Sequence, residues 1–344
     1  MKLLLCSLII LASLLSAPTP YVLKYPAYFG HRTNLLENNP LTVEGIALGR
    51  KLFYEKQLSA NNTLSCATCH QQARAFTDGR KFSLGADGTP TRRNSMTLAN
   101  ILWVQNFFWD GRATSLEAQA LTPLTDPHEM GQSLDNSAKK LKALPEYSGL
   151  FTAAFPGPDA ITPDHIIKAL TQFERTLISA NAPYDQYIRG ESQLSAAQRR
   201  GLDLFFGSAN RGVRSAGCGN CHGGPRTFNE TYHNNGLDKT PKDSGREDVT
   251  HMPYDRGRFR VVTLRNIALT APYMHDGRFN TLEAVIDHYS EHLEPSPTLS
   301  PSLKDTTNTP TNLHLTTAEK SDLLAFLHTL TDSTFITDPR FSAP

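Results

Sequence analysis

The chain has 344 residues, with 34 Lys+Arg against 33 Asp+Glu and a net charge of +1. That near-cancellation gives no sign of the net basic charge that favours nucleic-acid binding, and the length makes room for about two domains of ordinary size. No apolar run reaches the roughly 20 residues that cross a bilayer, so no membrane association is expected beyond an N-terminal signal or anchor.

Residues 1–17 read as an export signal: Lys2, an apolar run over residues 3–15, then Ser16-Ala17. Cleavage near Ala17 is expected, with an uncleaved anchor as the alternative, and the mature chain is expected in the periplasm. Residues 18–40 form an extended lead-in rich in Pro, Asn and Tyr. Thr42, followed by Glu44, caps a helix that carries Ile46, Leu52 and Phe53.

Then comes Cys66-Ala67-Thr68-Cys69-His70, and the same spacing returns as Cys218-Gly219-Asn220-Cys221-His222. Cys-x-x-Cys-His is the attachment signal of haem c. Two thiols tether the porphyrin, and the histidine supplies an axial nitrogen to the iron. Four of the five cysteines fall in these two copies, and Cys6 lies in the signal. A four-thiolate zinc site is the rival use of two Cys-x-x-Cys pairs, and a chance pairing is the bland one. Each copy carries its histidine, which favours haem.

Residues 71–93 lack periodicity and read as loop. Ser115 caps a helix with Glu117 in its first turn. Thr162-Pro163 opens a helix with Ile166, Ile167, Leu170, Phe173, Leu177 and Ile178 at helical spacing. A linker is expected at residues 181–191. Ser195 and Gln198 make a capping box, residues 229–258 read as polar loop, and Thr316-x-x-Glu319 starts a last helix with Leu323, Leu324, Leu327 and Leu330 on one side. Period-2 alternation is nearly absent, so the fold class is mostly α.

The halves match beyond the cysteines. Gly49 and Leu52-Phe53 precede Cys66 as Gly201 and Leu204-Phe205 precede Cys218. Asp110-Gly111-Arg112 is followed by Leu116-Glu117-Ala118 as Asp276-Gly277-Arg278 is followed by Leu282-Glu283-Ala284. Two cytochrome c-like haem domains related by internal duplication are expected, over residues 41–185 and 191–335. Thirteen residues past the Asp-Gly-Arg aspartate stands Pro123 in one half and Tyr289 in the other. Proline offers iron no donor, whereas tyrosine can ligate as phenolate. One iron open to peroxide and one closed is the asymmetry this implies.

With these stretches, Phe107-Phe108-Trp109, Phe173-Glu174-Arg175-Thr176-Leu177 and Ala271-Pro272-Tyr273-Met274-His275, the sequence resembles the di-haem cytochrome c peroxidase family, MauG-like enzymes included. The resemblance implies a peroxidatic haem on His70 and an electron-transfer haem on His222. It implies Trp109 as a relay between them, Gln119, Pro123 and Glu129 in the distal pocket, and Glu129 as general acid–base. Asn94, Thr270 and Pro272 match positions that hold a calcium ion. The expected cofactors are thus two covalently bound haem c groups and a calcium ion.

Two departures stand out. The loop Ser83-Leu84-Gly85-Ala86-Asp87-Gly88 lacks the histidine that blocks the first iron in many family peroxidases, and Tyr289 stands where those peroxidases have a methionine ligand. Tyr289 is the MauG-like choice, with Met274 as the alternative ligand and His275 and His288 as further rivals. The tryptophan that passes oxidising equivalents out of MauG-like enzymes is missing, since that region reads Ser215-Ala216-Gly217. The leading expectation is a periplasmic peroxidase reducing hydrogen peroxide with electrons from a small redox protein, a cytochrome c or cupredoxin. The alternatives are a MauG-like oxidase of an organic or protein substrate and a non-enzymatic di-haem electron carrier. Family members also suggest a homodimer.

Overall fold

The computed structural model describes residues 17–207 and 214–344. The export signal and Cys6 lie outside the described residues, apart from Ala17. Among the described residues no helix is long and apolar enough to cross a membrane.

Helices begin where the sequence supplies a cap. Thr42 Oγ1 accepts from Gly45 N at 3.0 Å and opens α1 (Val43–Phe53). The first cysteine motif is itself one helical turn, α2 (Cys66–Cys69). Ser115 caps α3 (Leu116–Thr125), Ser133 caps α4 (Leu134–Lys142), and Pro145 starts α5 (Pro145–Ala154). Thr162 caps α6 (Pro163–Glu174). The expected linker holds another helix, α7 (Pro183–Ile188). Pro183 starts it locally and a tertiary partner buries it: Asp185 accepts from Ala182 N at 2.9 Å and is fully buried in an ion pair with Arg265. The Ser195–Gln198 box opens α8 (Ala196–Phe206), and the second motif is α9 (Cys218–Cys221). The segment read as polar loop holds β1 (Tyr232–His233) and α10 (Glu247–Thr250). β1 pairs antiparallel with β2 (Phe259–Arg260), Tyr232 opposite Arg260. Thr281 caps α11 (Leu282–Glu291), Thr316 and Glu319 box the start of α12 (Thr317–His328), and Asp332 caps α13 (Ser333–Thr337). The fold is mostly α, with one two-stranded ribbon.

Two helix crossings set the frame. α1 crosses α6 at Gly49, where a Cβ would stand 1.9 Å from Ala169 O; α8 crosses α12 at Gly201, where a Cβ would stand 1.9 Å from Asp322 O. Only glycine lets the backbones approach so closely. Beside each crossing an edge-on or tilted aromatic pair fills the gap, Phe53–Phe173 at 5.3 Å and Phe205–Phe326 at 5.2 Å. The turns repeat as well. Asn100 and Asn266 both take left-handed backbone, as do Gly111 and Gly277.

The halves are stitched across their boundary. Phe335 and Phe341 return to pack on Phe76, at 5.4 and 6.5 Å between ring centroids. Trp103 is buried under the lead-in, edge-on to Tyr25 and Phe29, with Nε1 donating to Gly30 O. Arg93 reaches Asp110 at 2.5 Å and grips both oxygens of Asp243 at 2.8 and 2.7 Å, which joins the first half to the second.

Candidate active site

Between the halves lies a cavity of about 1050 Å³ that both cysteine motifs line. That is at the top of the range for small-molecule pockets, roughly 300–1,000 Å³. Cys66, Cys69 and His70 face it from one side, and Cys218, Cys221 and His222 from the other. All four thiols are free. Burial pushes Cys69 up to about 11 and Cys218 up to about 12, which disfavours the thiolates that a zinc site would need. Among the described residues no group of three or more His, Cys, Asp or Glu converges on one point, so the four sulfurs do not build a zinc site.

The two histidines are oriented alike. His70 Nδ1 lies 2.8 Å from Phe76 O, and His222 Nδ1 lies 3.2 Å from Thr227 O. A carbonyl only accepts, so Nδ1 carries the hydrogen and Nε2 keeps its lone pair. Burial lowers both imidazoles, His222 to about 4, and keeps them neutral as ligands must be.

In the first half α3 and the turn after it also line the cavity. Gln119, Pro123 and Glu129 all line the cavity. Pro123 sits inside the helix and cannot donate to Gln119 O, so the ladder opens at the pocket. Glu129 has its carboxyl raised by burial and by Asp126, against an opposing pull from Arg112. The loop over residues 83–88 packs onto this turn: Ala86 N donates to Glu129 O at 2.7 Å, and a Cβ on Gly85 would stand 2.0 Å from His128 O. His128 turns outward to Asp87 at 2.9 Å.

In the second half α11 forms the matching wall. Tyr289 faces the cavity, and burial pushes its phenol up to about 12 while Asn235 pulls it down. Met274 faces the same space. Both rivals reach one amide, with Asn235 Nδ2 3.3 Å from the Tyr289 hydroxyl and 3.3 Å from the Met274 sulfur. His288 turns away, its Nε2 2.9 Å from Asn235 O.

Trp109 lines the same cavity, with Nε1 donating to Asn94 O at 2.9 Å. His275 lies edge-on to it at 6.5 Å and stacks on Phe259 at 3.7 Å. Asn94, Thr270 and Pro272 line the same cavity; Asn94 Nδ2 is committed to Arg80 O at 2.8 Å.

Sequence reasoning missed three cavity residues. Asn235 lay hidden in a stretch read as loop. Arg260 is buried, lines the cavity, donates from Nε to Phe108 O at 3.3 Å and forms no salt bridge among the described residues. Glu174 had a signal, since it falls on the apolar stripe of α6 between Leu170 and Leu177.

Two thiol pairs and two imidazoles opening into one apolar cavity fit two covalently held haems, one per half, and define a di-haem c protein. A family model for di-haem cytochrome c peroxidases matches residues 43–193. The methylamine utilization protein MauG of Methylorubrum extorquens is 40% identical over 298 residues, 85% of this chain and 79% of that one. The cytochrome c551 peroxidase of Nitrosomonas europaea is 36% identical over 261 residues, 72% of this chain and 73% of its own. A crystal structure of a MauG-like protein associated with microbial copper homeostasis superposes with a TM-score of 0.86 at 39% identity, covering 94% of this chain and 99% of that one. The chain belongs to the di-haem cytochrome c peroxidase family, which takes in MauG. Membership makes it an oxidoreductase, sets aside the non-enzymatic carrier, and implies two haem c groups.

Proposed function

We propose that the chain is a MauG-like di-haem oxidase that draws two oxidising equivalents from hydrogen peroxide and passes them to an organic or protein substrate. One observation carries the reading: α3 presents Pro123, which has no donor, where α11 presents Tyr289, which has one. In this reading Cys66, Cys69 and His70 would hold a haem to which Pro123 offers no further donor, and Cys218, Cys221 and His222 would hold one to which Tyr289 offers its phenol oxygen.

When bound, the two haems supply the iron at which peroxide is split and the store for its oxidising equivalents. Glu129 takes the proton from the near peroxide oxygen and returns it to the far one, so that water leaves. Its raised carboxyl can hold and release that proton closer to neutrality than an ordinary glutamate. Gln119 orients the oxidant through its amide. Trp109 lies on the route between the halves. The paired glycine crossings and paired turns support a duplicated unit, with domains over residues 41–185 and 191–335. Backbone carbonyls near Thr270 and Pro272, with Asn94 Oδ1, would suit a calcium ion, which takes oxygen ligands. The export signal expected at residues 1–17 supports a periplasmic setting, where haem c is attached. The copper association of the solved relative makes a copper-handling protein the first substrate to test.

A second reading, a peroxidase fed by a cytochrome c or cupredoxin, is favoured by Ser215-Ala216-Gly217, where no tryptophan offers an exit, and by the burial of Trp103. Adding one equivalent of peroxide to the resting diferric protein separates the two. A long-lived oxidised state that decays on adding the substrate supports the oxidase. Immediate decay with turnover of reduced cytochrome c supports the peroxidase. Two low-spin haems inert to peroxide would refute both.

A further inference from the structure

Asn235 stands two residues beyond β1, in a segment without regular structure. Its Nδ2 is 3.3 Å from the Tyr289 hydroxyl oxygen and 3.3 Å from the Met274 sulfur. A side-chain amide nitrogen carries two hydrogens, so it can serve both acceptors at once. The residue is pinned on each side. His288 Nε2, on the same helix as Tyr289, reaches its backbone carbonyl at 2.9 Å. The preceding Asn234 donates to the hydroxyls of Ser296 and Thr298 at 2.9 and 2.8 Å, and accepts from Gly236 N at 2.9 Å. Glu294 N donates to Gly236 O at 2.8 Å. The amide is therefore fixed relative to α11, within reach of both Tyr289 and Met274.

We propose that Asn235 is the positioning residue that decides which donor caps the second haem, presenting the Tyr289 oxygen and restraining the Met274 sulfur. The proposal rests on the reading of Tyr289 as the cap. Donors that hold a ligand from behind fix its orientation, and their loss typically costs about 10–100-fold in metal affinity. Without the amide the phenol loses its fixed donor and the flexible thioether is released from the same contact. No electron changes hands in the exchange. One ligand leaves, the other takes its place, and the displaced phenolate takes a proton from solvent.

The test is the resting spectrum of the low-spin haem in the holoprotein with both haems attached, compared among the native chain, Tyr289→Phe, Met274→Leu and Asn235→Leu. In Asn235→Leu the phenolate signature is expected to disappear at neutral pH and a sulfur-ligated one to replace it. In Asn235→Leu combined with Met274→Leu the haem is expected to become high-spin. Asn235→Asp, which keeps the shape and replaces the donor by an acceptor, should lose the phenolate signature too, and stands in if the leucine variant fails to mature. A spectrum unchanged by Tyr289→Phe would mean that the reading of Tyr289 itself has failed. A spectrum changed by Tyr289→Phe but untouched in both Asn235 variants would overturn the inference and leave that reading standing.

Discussion

Glu174 is 6% exposed, with Oε2 buried and without a partner among the described residues. On α12 the matching cavity position is Leu327. Burial pushes the Glu174 carboxyl up to about 8, with Arg175 pulling it down and Glu117 pushing it further up. In the unfolded chain it titrates near the usual value of about 4.3. Between those two pH values the folded chain holds a proton that the unfolded chain releases, so stability falls as pH rises through the window. At about 1.4 kcal/mol per pH unit the ceiling is near 5 kcal/mol. Relaxation of the protein around the buried charge lowers that to on the order of 2–4 kcal/mol. Glu174→Leu should therefore unfold close to the native chain at pH 5 and gain on the order of 2–4 kcal/mol at pH 8.5, roughly 4–10 °C in Tm. Thermal unfolding of the holoprotein by far-ultraviolet circular dichroism, from pH 5 to 9, measures it. Parallel pH profiles for the two proteins would refute the reasoning, since they would mean that Glu174 is ionised or paired throughout.

Other consequences are as direct. Glu129→Gln should slow peroxide consumption by about 10²–10⁴-fold. In the native chain the rate should rise with pH as the raised carboxyl ionises, and stopped-flow traces of the variant should lack that limb. Gly49→Ala forces a Cβ to within 1.9 Å of Ala169 O, a backbone atom that cannot swing aside. It should cost at least about 1–3 kcal/mol in urea unfolding. Arg175 holds Glu117 with two bonds, 2.7 and 3.0 Å, and is itself fully buried. Arg175→Met removes the cation and leaves that carboxylate only the Asn39 and Thr171 donors, which should cost about 3 kcal/mol. It should also weaken peroxide binding, read from the high-spin band, because Glu117 anchors the helix that carries Gln119.

Much of this protein is written locally. Thr42, Ser115, Thr162, Ser195 and Thr316 each cap the helix that their side chain announces, because a cap is a contact within one turn and needs no distant partner. The two Cys-x-x-Cys-His motifs name their cofactor for the same reason, since thiols and imidazole fall within one turn. What the sequence alone left open depends on residues far apart in the chain. α7 has a local start in Pro183 and Asp185, but the Asp185–Arg265 ion pair that buries it leaves no sign in a window around residue 185. The choice between Tyr289 and Met274 stayed undecided from spacing, and Asn235 was invisible, because the amide joins them only once a segment beyond β1 is laid against α11. Glu174 shows the same division. Its place on an apolar stripe is legible, whereas its burial against the cavity with no partner is decided by packing, which alone determines what a side chain meets.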